Sequence, residues 1–222
     1  MAIHLTRDLE NLQRRVLSLA SAVEQTIDKA IRALFDRDIQ LADALLESDA
    51  AIDMEENEIE EDCLKILALH QPVAVDLRRV TAILKINSDL ERMADLAVNI
   101  AERAGDLARG PEIVVPIALR RMTDLTNTMV RDSLDAFVRL DAALAKRVCR
   151  MDDEVDRHNR EIIEQVSRHM RQSPNNVDPG LHLFSAARQL ERIADHATNI
   201  AEDVVYLVEG KIIRHHPEAL NE

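Results

Sequence analysis

The sequence predicts an all-α protein made of two tandem, duplication-related three-helix bundles, residues 1–110 and 111–222. Three observations carry that reading. Aromatic residues are only 2% of a chain that is 46% hydrophobic, so the core is built from Leu, Ile, Val, Ala and Met, a palette that suits helix-on-helix packing better than sheet. Gly and Pro are scarce, 4 and 6 in 222 residues, which leaves few places to break a helix. One helix-length segment also occurs twice. Leu90-Glu91-Arg92-Met93-Ala94-Asp95-Leu96-Ala97-Val98-Asn99-Ile100-Ala101-Glu102 returns one hundred residues later as Leu190-Glu191-Arg192-Ile193-Ala194-Asp195-His196-Ala197-Thr198-Asn199-Ile200-Ala201-Glu202. The copies differ only at Met93/Ile193, Leu96/His196 and Val98/Thr198.

Each predicted helix has its own signal. Leu5, Leu9, Leu12, Val16, Leu19, Val23 and Ile27 alternate steps of four and three, the seam of a bundle helix. Asp36-Arg37-Asp38 supplies caps for a second helix, which Pro72 ends after about residue 70. A third helix spans residues 75–108 and stops at Gly110-Pro111. The fourth, fifth and sixth are expected over residues 117–140, 142–172 and 181–209, with a loop at 173–180 and Gly210 as the final C-terminal cap. A weaker echo of the duplication pairs Asp49, Ile52 and Asp53 with Asp152, Val155 and Asp156.

Charge and cysteine content exclude several functions. A net charge of −13 disfavours nucleic acid as a partner. The longest apolar run, residues 113–119, is far short of the ~20 residues that span a bilayer, and the first residues lack the order of a signal peptide. A cytoplasmic chain without membrane insertion is expected. Cys63 and Cys149 lie in apolar helical patterns and read as reduced core thiols.

The repeated helix has two faces. With Glu91 as origin and about 100° per residue, Asp95 falls near 40°, Asn99 near 80° and Glu102 near 20°. Leu90, Met93, Ala97, Ile100 and Ala101 fall on the opposite, core-facing side. Glu191, Asp195, Asn199 and Glu202 repeat the stripe. Asp49, Asp53, Glu56 and Glu60 share one stripe on the second helix, and Asp152, Asp156 and Asn159 share one on the fifth. Residues 47–62 hold nine acids and no Lys or Arg. Neighbouring like charges repel by a few tenths of a kcal/mol per pair. A solvated face tolerates this, and a shared cation would remove it. The donors are carboxylate and amide oxygens, a hard set suited to Mg, Ca, Mn or Fe rather than structural zinc. Arg92 and Arg192 read as partners of nearby acids, and His196 as a packed or hydrogen-bonded histidine. No phosphate loop, nucleophile triad or zinc spacing is present, and the Glu-x-x-His pair of di-iron bundles fails because Ala follows Glu91 and Glu191 at the third position. The chain is therefore expected not to be an enzyme. A metal-dependent phosphohydrolase and a purely structural bundle with solvated acidic faces are the alternatives.

At these residues the sequence resembles the PhoU family of phosphate-specific transport system accessory proteins. The tandem Leu-Glu-Arg-x-Ala-Asp-x-Ala-x-Asn-Ile-Ala-Glu helices carry the resemblance. Val75-Asp76-Leu77-Arg78, Leu84-Lys85-Ile86-Asn87-Ser88-Asp89-Leu90 and Tyr206-Leu207-Val208-Glu209-Gly210 add to it. The resemblance implies two symmetric three-helix bundles whose surface motifs hold clusters of divalent or trivalent metal (Fe, Mn, Mg, Zn or Ca). Carried over, the motifs are Asp49/Asp53 with Glu91/Asp95, and Asp152/Asp156 with Glu191/Asp195. Glu56, Asn99, Glu102, Asn199 and Glu202 complete the stripes. Asn159 stands where the first half has Glu56, so the second site is expected to bind metal more weakly. The resemblance further implies a homodimeric adaptor that restrains phosphate-starvation signalling and phosphate import. Its partners would be a sensor histidine kinase and the ATPase of the phosphate ABC transporter, which would recruit it to the membrane periphery.

Overall fold

The computed structural model describes residues 2–46 and 50–214. Among them lie seven α-helices and no strand: α1 (Ala2–Asp36), α2 (Ile39–Leu46), α3 (Ala50–His70), α4 (Ala74–Arg109), α5 (Ile117–Arg139), α6 (Ala142–Met170) and α7 (Val177–Glu209). The second predicted helix is thus described as two segments, α2 and α3, on either side of residues 47–49. Asp49, His215 and His216 lie outside the described residues. No described helix is long and apolar enough to cross a membrane.

Local chemistry explains the ends. Asp38 Oδ1 accepts from the Leu41 amide at 3.0 Å and opens α2. Asp141 does the same for α6, accepting from the Leu144 amide at 2.9 Å. Arg37 places its guanidinium 2.9 Å from Gly110 O, a cation over the carbonyl end of α4. Gly210 takes φ 70° and closes α7 by donating its backbone N–H to Tyr206 O at 2.9 Å. The expected loop at 173–180 is shorter than its composition implied. Pro174–Asn176 forms a 3₁₀ turn, and α7 already begins at Val177. Pro179 and Gly180 sit in its first turn, where an absent amide proton costs nothing, and both are buried. A Cβ on Gly180 would meet Met170 Cγ at 2.5 Å, so the glycine admits the end of α6 close against α7.

The two halves meet along α4 and α7, the most extensive pairing in the chain. Their buried faces are rich in alanine, including Ala94, Ala97, Ala101, Ala194, Ala197 and Ala201, and small side chains let helices approach closely. Contacts descend along one helix as they ascend the other: Lys85 meets Asp203, Asp89 meets His196, and Asp106 meets His182. The helices are therefore antiparallel. On the other side of the seam α1 and α5 run antiparallel too, with Asn127 donating to Asp28 at 3.2 Å and Arg120 stacked 4.3 Å from the Phe35 ring. An approximate two-fold axis between the halves follows from these two pairings. Helices α3 and α6 flank the seam, α3 against α1 and α4, and α6 against α5 and α7.

The periodic residues fill the core. Leu12, Val16, Leu19, Val23 and Ile27 are buried, as are Leu90, Met93, Ile100, Leu190, Ile193 and Ile200. Cys63 is fully buried, and burial pushes both its thiol and that of Cys149 up to about 12, which leaves them protonated and unreactive.

Candidate functional site

The acidic stripes of α3 and α4, and of α6 and α7, form two grooves. The fields that the carboxylates exert on one another show which residues share each one. In the second groove, burial pushes Asp152 up to about 6, and Asp195, Asp156 and Asp153 push the same way. Glu191 is raised by burial first; Asp156 and Asp152 add to this, while Arg188 opposes it. Asp195 is raised by burial and then by Glu191 and Asp156. In the first groove, burial raises Glu56, followed by Glu60 and Asp53, with Arg92 opposing. Glu91 is raised by burial and then by Asp95, with smaller contributions from Glu56 and Asp53. Asp53, Glu56, Glu91 and Asp95 thus come together on one side, and Asp152, Asp156, Glu191 and Asp195 on the other.

Arginines answer part of this charge. Arg92 lies 3.3 Å from Glu91 and 3.6 Å from Asp95. In the second groove Arg188 binds Glu191 Oε1 at 2.8 Å, and the other oxygen, Oε2, is buried with no partner. A buried carboxylate oxygen without a donor is costly. Together with hard oxygen donors on facing helices, that orphan fits a cation. Among the described residues no three acidic, His or Cys side chains already converge on one point, so binding would require rotamer adjustment.

The far ends of the stripes behave differently. Glu102 is paired with its neighbour Arg103, and Asn99 is exposed. Asn199 donates to Asp89 Oδ1 at 3.2 Å, across the seam, and Glu202 accepts from Arg214 at 2.9 Å. His196 Nδ1 lies 2.7 Å from the same Asp89 oxygen, the hydrogen-bonded histidine the sequence led us to expect. Asn159 is buried, only 7% exposed, whereas its counterpart Glu56 is half-buried.

Comparison with known proteins decides the family. The model of the PhoU domain matches twice, over residues 16–104 and 119–204. The chain belongs to the PhoU family. It is 41% identical to the phosphate-specific transport system accessory protein PhoU homolog of Aquifex aeolicus, over 95% of this chain and 96% of that protein. The crystal structure of PhoU from Pseudomonas aeruginosa superposes with a TM-score of 0.90 at 38% identity, covering 93% of this chain and 99% of that one. The phosphate transport system regulatory protein PhoU from Streptococcus pneumoniae gives 0.88 at 30% identity, covering 94% and 98%. These PhoU relatives are named as accessory or regulatory proteins rather than enzymes.

Within this member of the family, sequence reasoning missed three groups. The buried Thr198 hydroxyl lies beside the Asp152 carboxyl and opposes the upward push of burial on it, favouring its ionised form. Thr198 lies near −20° on the stripe by the same arithmetic of about 100° per residue, and only attention to acids alone passed over it. Val98 stands there in the first half. Arg15 of α1 was not singled out by the sequence pattern. It meets three carboxylates of α3: Glu55 at 2.9 Å, Glu58 at 2.6 Å and Asp62 at 2.6 Å. Asp203 is buried and neutralised by Lys85; the one available hint was that Arg103 occupies the equivalent place.

Proposed function

We propose that the protein is a regulatory accessory of a phosphate transport system, a non-catalytic adaptor that restrains phosphate import and phosphate-starvation signalling. The observation that carries this reading is the end-to-end match: both halves align with PhoU domains, and 95% of the chain is covered by a relative named as an accessory protein. Its partners in this reading are the ATPase of the phosphate ABC transporter and the sensor histidine kinase, met in the cytoplasm at the membrane periphery, with self-association into a homodimer.

The grooves belong to this proposal as cation sites. Asp53, Glu56, Glu91 and Asp95 would hold one, together with Asp49; Asp152, Asp156, Glu191 and Asp195 would hold the other. A bound cation supplies positive charge that offsets the repulsion and turns an acidic face into one able to meet an acidic or phosphorylated partner. The support is the donor chemistry and the unpartnered Glu191 oxygen. Pull-down of the purified kinase and ATPase, each with and without manganese, tests the adaptor. Retention of at least one partner is expected, and retention of neither under both conditions would overturn it. Elemental analysis of protein carrying Asp95→Asn and Asp195→Asn tests the sites, with reduced bound metal expected.

A further inference from the structure

The far end of the second groove already holds a cation that belongs to the chain itself. After Gly210 the backbone returns along α7, and Ile213 is buried there as an apolar plug. Arg214 then sets Nε 2.9 Å from Glu202 Oε2 and Nη2 3.4 Å from Asn199 Oδ1. Both acceptors lie on the α7 stripe that also carries Glu191 and Asp195. Glu202 lies two turns beyond Asp195 on that stripe, about 10 Å along the axis, and, like Asp152, it acts on the Cys149 thiol. Among the described residues the first groove shows no such attachment from elsewhere in the chain. Glu102 is satisfied by the adjacent Arg103.

The attachment is light. Residues 212–214 line a cavity of about 250 Å³ together with Thr81, Lys85, Asp203 and Tyr206, so the packing of this stretch against the bundle is interrupted. Arg214 is 42% exposed, and such an ion pair is weak enough to be exchanged for another cation. Its charge nevertheless opposes any second cation that enters the groove.

We infer that Arg214 is a tethered counter-cation that competes with a divalent metal ion for the second groove. Metal loading and detachment of residues 211–214 are then coupled, each favouring the other. This rests on the metal reading above and adds a control that, among the described residues, the second groove alone possesses. A partner that captured the detached segment would promote loading of that groove, and a loaded groove would offer the segment to a partner.

The test is a manganese titration followed by electron paramagnetic resonance, in full-length protein whose first groove is silenced by Asp53→Asn and Asp95→Asn. Arg214→Gln should bind manganese on the order of three- to tenfold more tightly than the parent, while Arg214→Lys, which keeps the charge, should not. In the parent, manganese should also speed hydrogen exchange across residues 211–214. Equal affinity in the parent and Arg214→Gln, with exchange at 211–214 unmoved, would overturn the competition and leave the metal site standing. Absence of bound manganese in both proteins would overturn the metal reading and the competition with it.

Discussion

Lys85 of α4 places its Nζ 2.7 Å from Asp203 Oδ1 of α7, so a carboxylate buried in one half is neutralised by a cation from the other. The Asp203 side chain is 5% exposed and its second oxygen has no partner. Breaking a buried pair costs more than the pair contributes, because the remaining charge stays desolvated. Lys85→Met should therefore destabilise the chain by roughly 2 kcal/mol, a figure reduced from the fully buried case because Lys85 is half exposed. Asp203→Asn, which removes the charge, should cost clearly less. Urea midpoints of the two variants check this, and equal losses would count against the account.

Asp152 makes stability depend on pH. Its carboxyl is raised from 3.8 to about 6, so the folded chain holds that proton more tightly than the unfolded chain. Below about pH 4 both states are protonated and the group is neutral in its effect. As pH rises toward 6 the folded state is forced to ionise a half-buried acid among other acids, and the penalty is complete above 6. Asp152→Asn should thus be more stable than the parent by roughly 1–2 kcal/mol above pH 6, after discounting for the group's solvent exposure. The difference should vanish as pH falls to about 4. Denaturation curves across that window provide the measurement.

Arg15 gathers Glu55, Glu58 and Asp62, and its guanidinium is held well above its ordinary value by those bonds. Arg15→Ala would leave three like charges on successive turns of α3 facing α1. A loss of about 1–2 kcal/mol is expected, smaller in high salt because the freed repulsion is screened. Thermal melts at low and high ionic strength would separate this from a packing defect, which salt would not relieve.

Gly210 has φ 70°, and a Cβ there would sit 3.4 Å from Arg78 Nη1. Left-handed backbone costs an L-residue roughly 1–2 kcal/mol. Gly210→Ala should lower the melting temperature by about 2–8 °C, a range that follows from that cost for a chain of this size. An unchanged melting temperature would show that the α7 terminus relaxes freely.

Much of the architecture was legible because it is periodic. Leu90, Met93, Ile100 and their copies announce a core face through spacing alone, and the repeated segment exposes the duplication. The start of α7 was not legible. Pro179 and Gly180 punctuate loops in isolation, but here the proline occupies a first turn and the glycine admits Met170. The facing carboxylates were readable as stripes, since angular position survives folding. The bonds that control them were not. Arg214 reaches Glu202 and Arg15 reaches α3 across separations that no local pattern encodes.

The opposed directions of α4 and α7 have a consequence for recognition. A single chain offers nearly the geometry of a symmetric pair, with its two grooves exchanged by half a rotation. A partner that is itself a two-fold assembly could be met at both of its equivalent surfaces by one molecule. Yet the halves are not interchangeable: Thr198 replaces Val98, Asn159 replaces Glu56, and Arg214 serves only one of them. Duplication has left a symmetric frame whose unequal contents give an encounter with such a partner a preferred orientation.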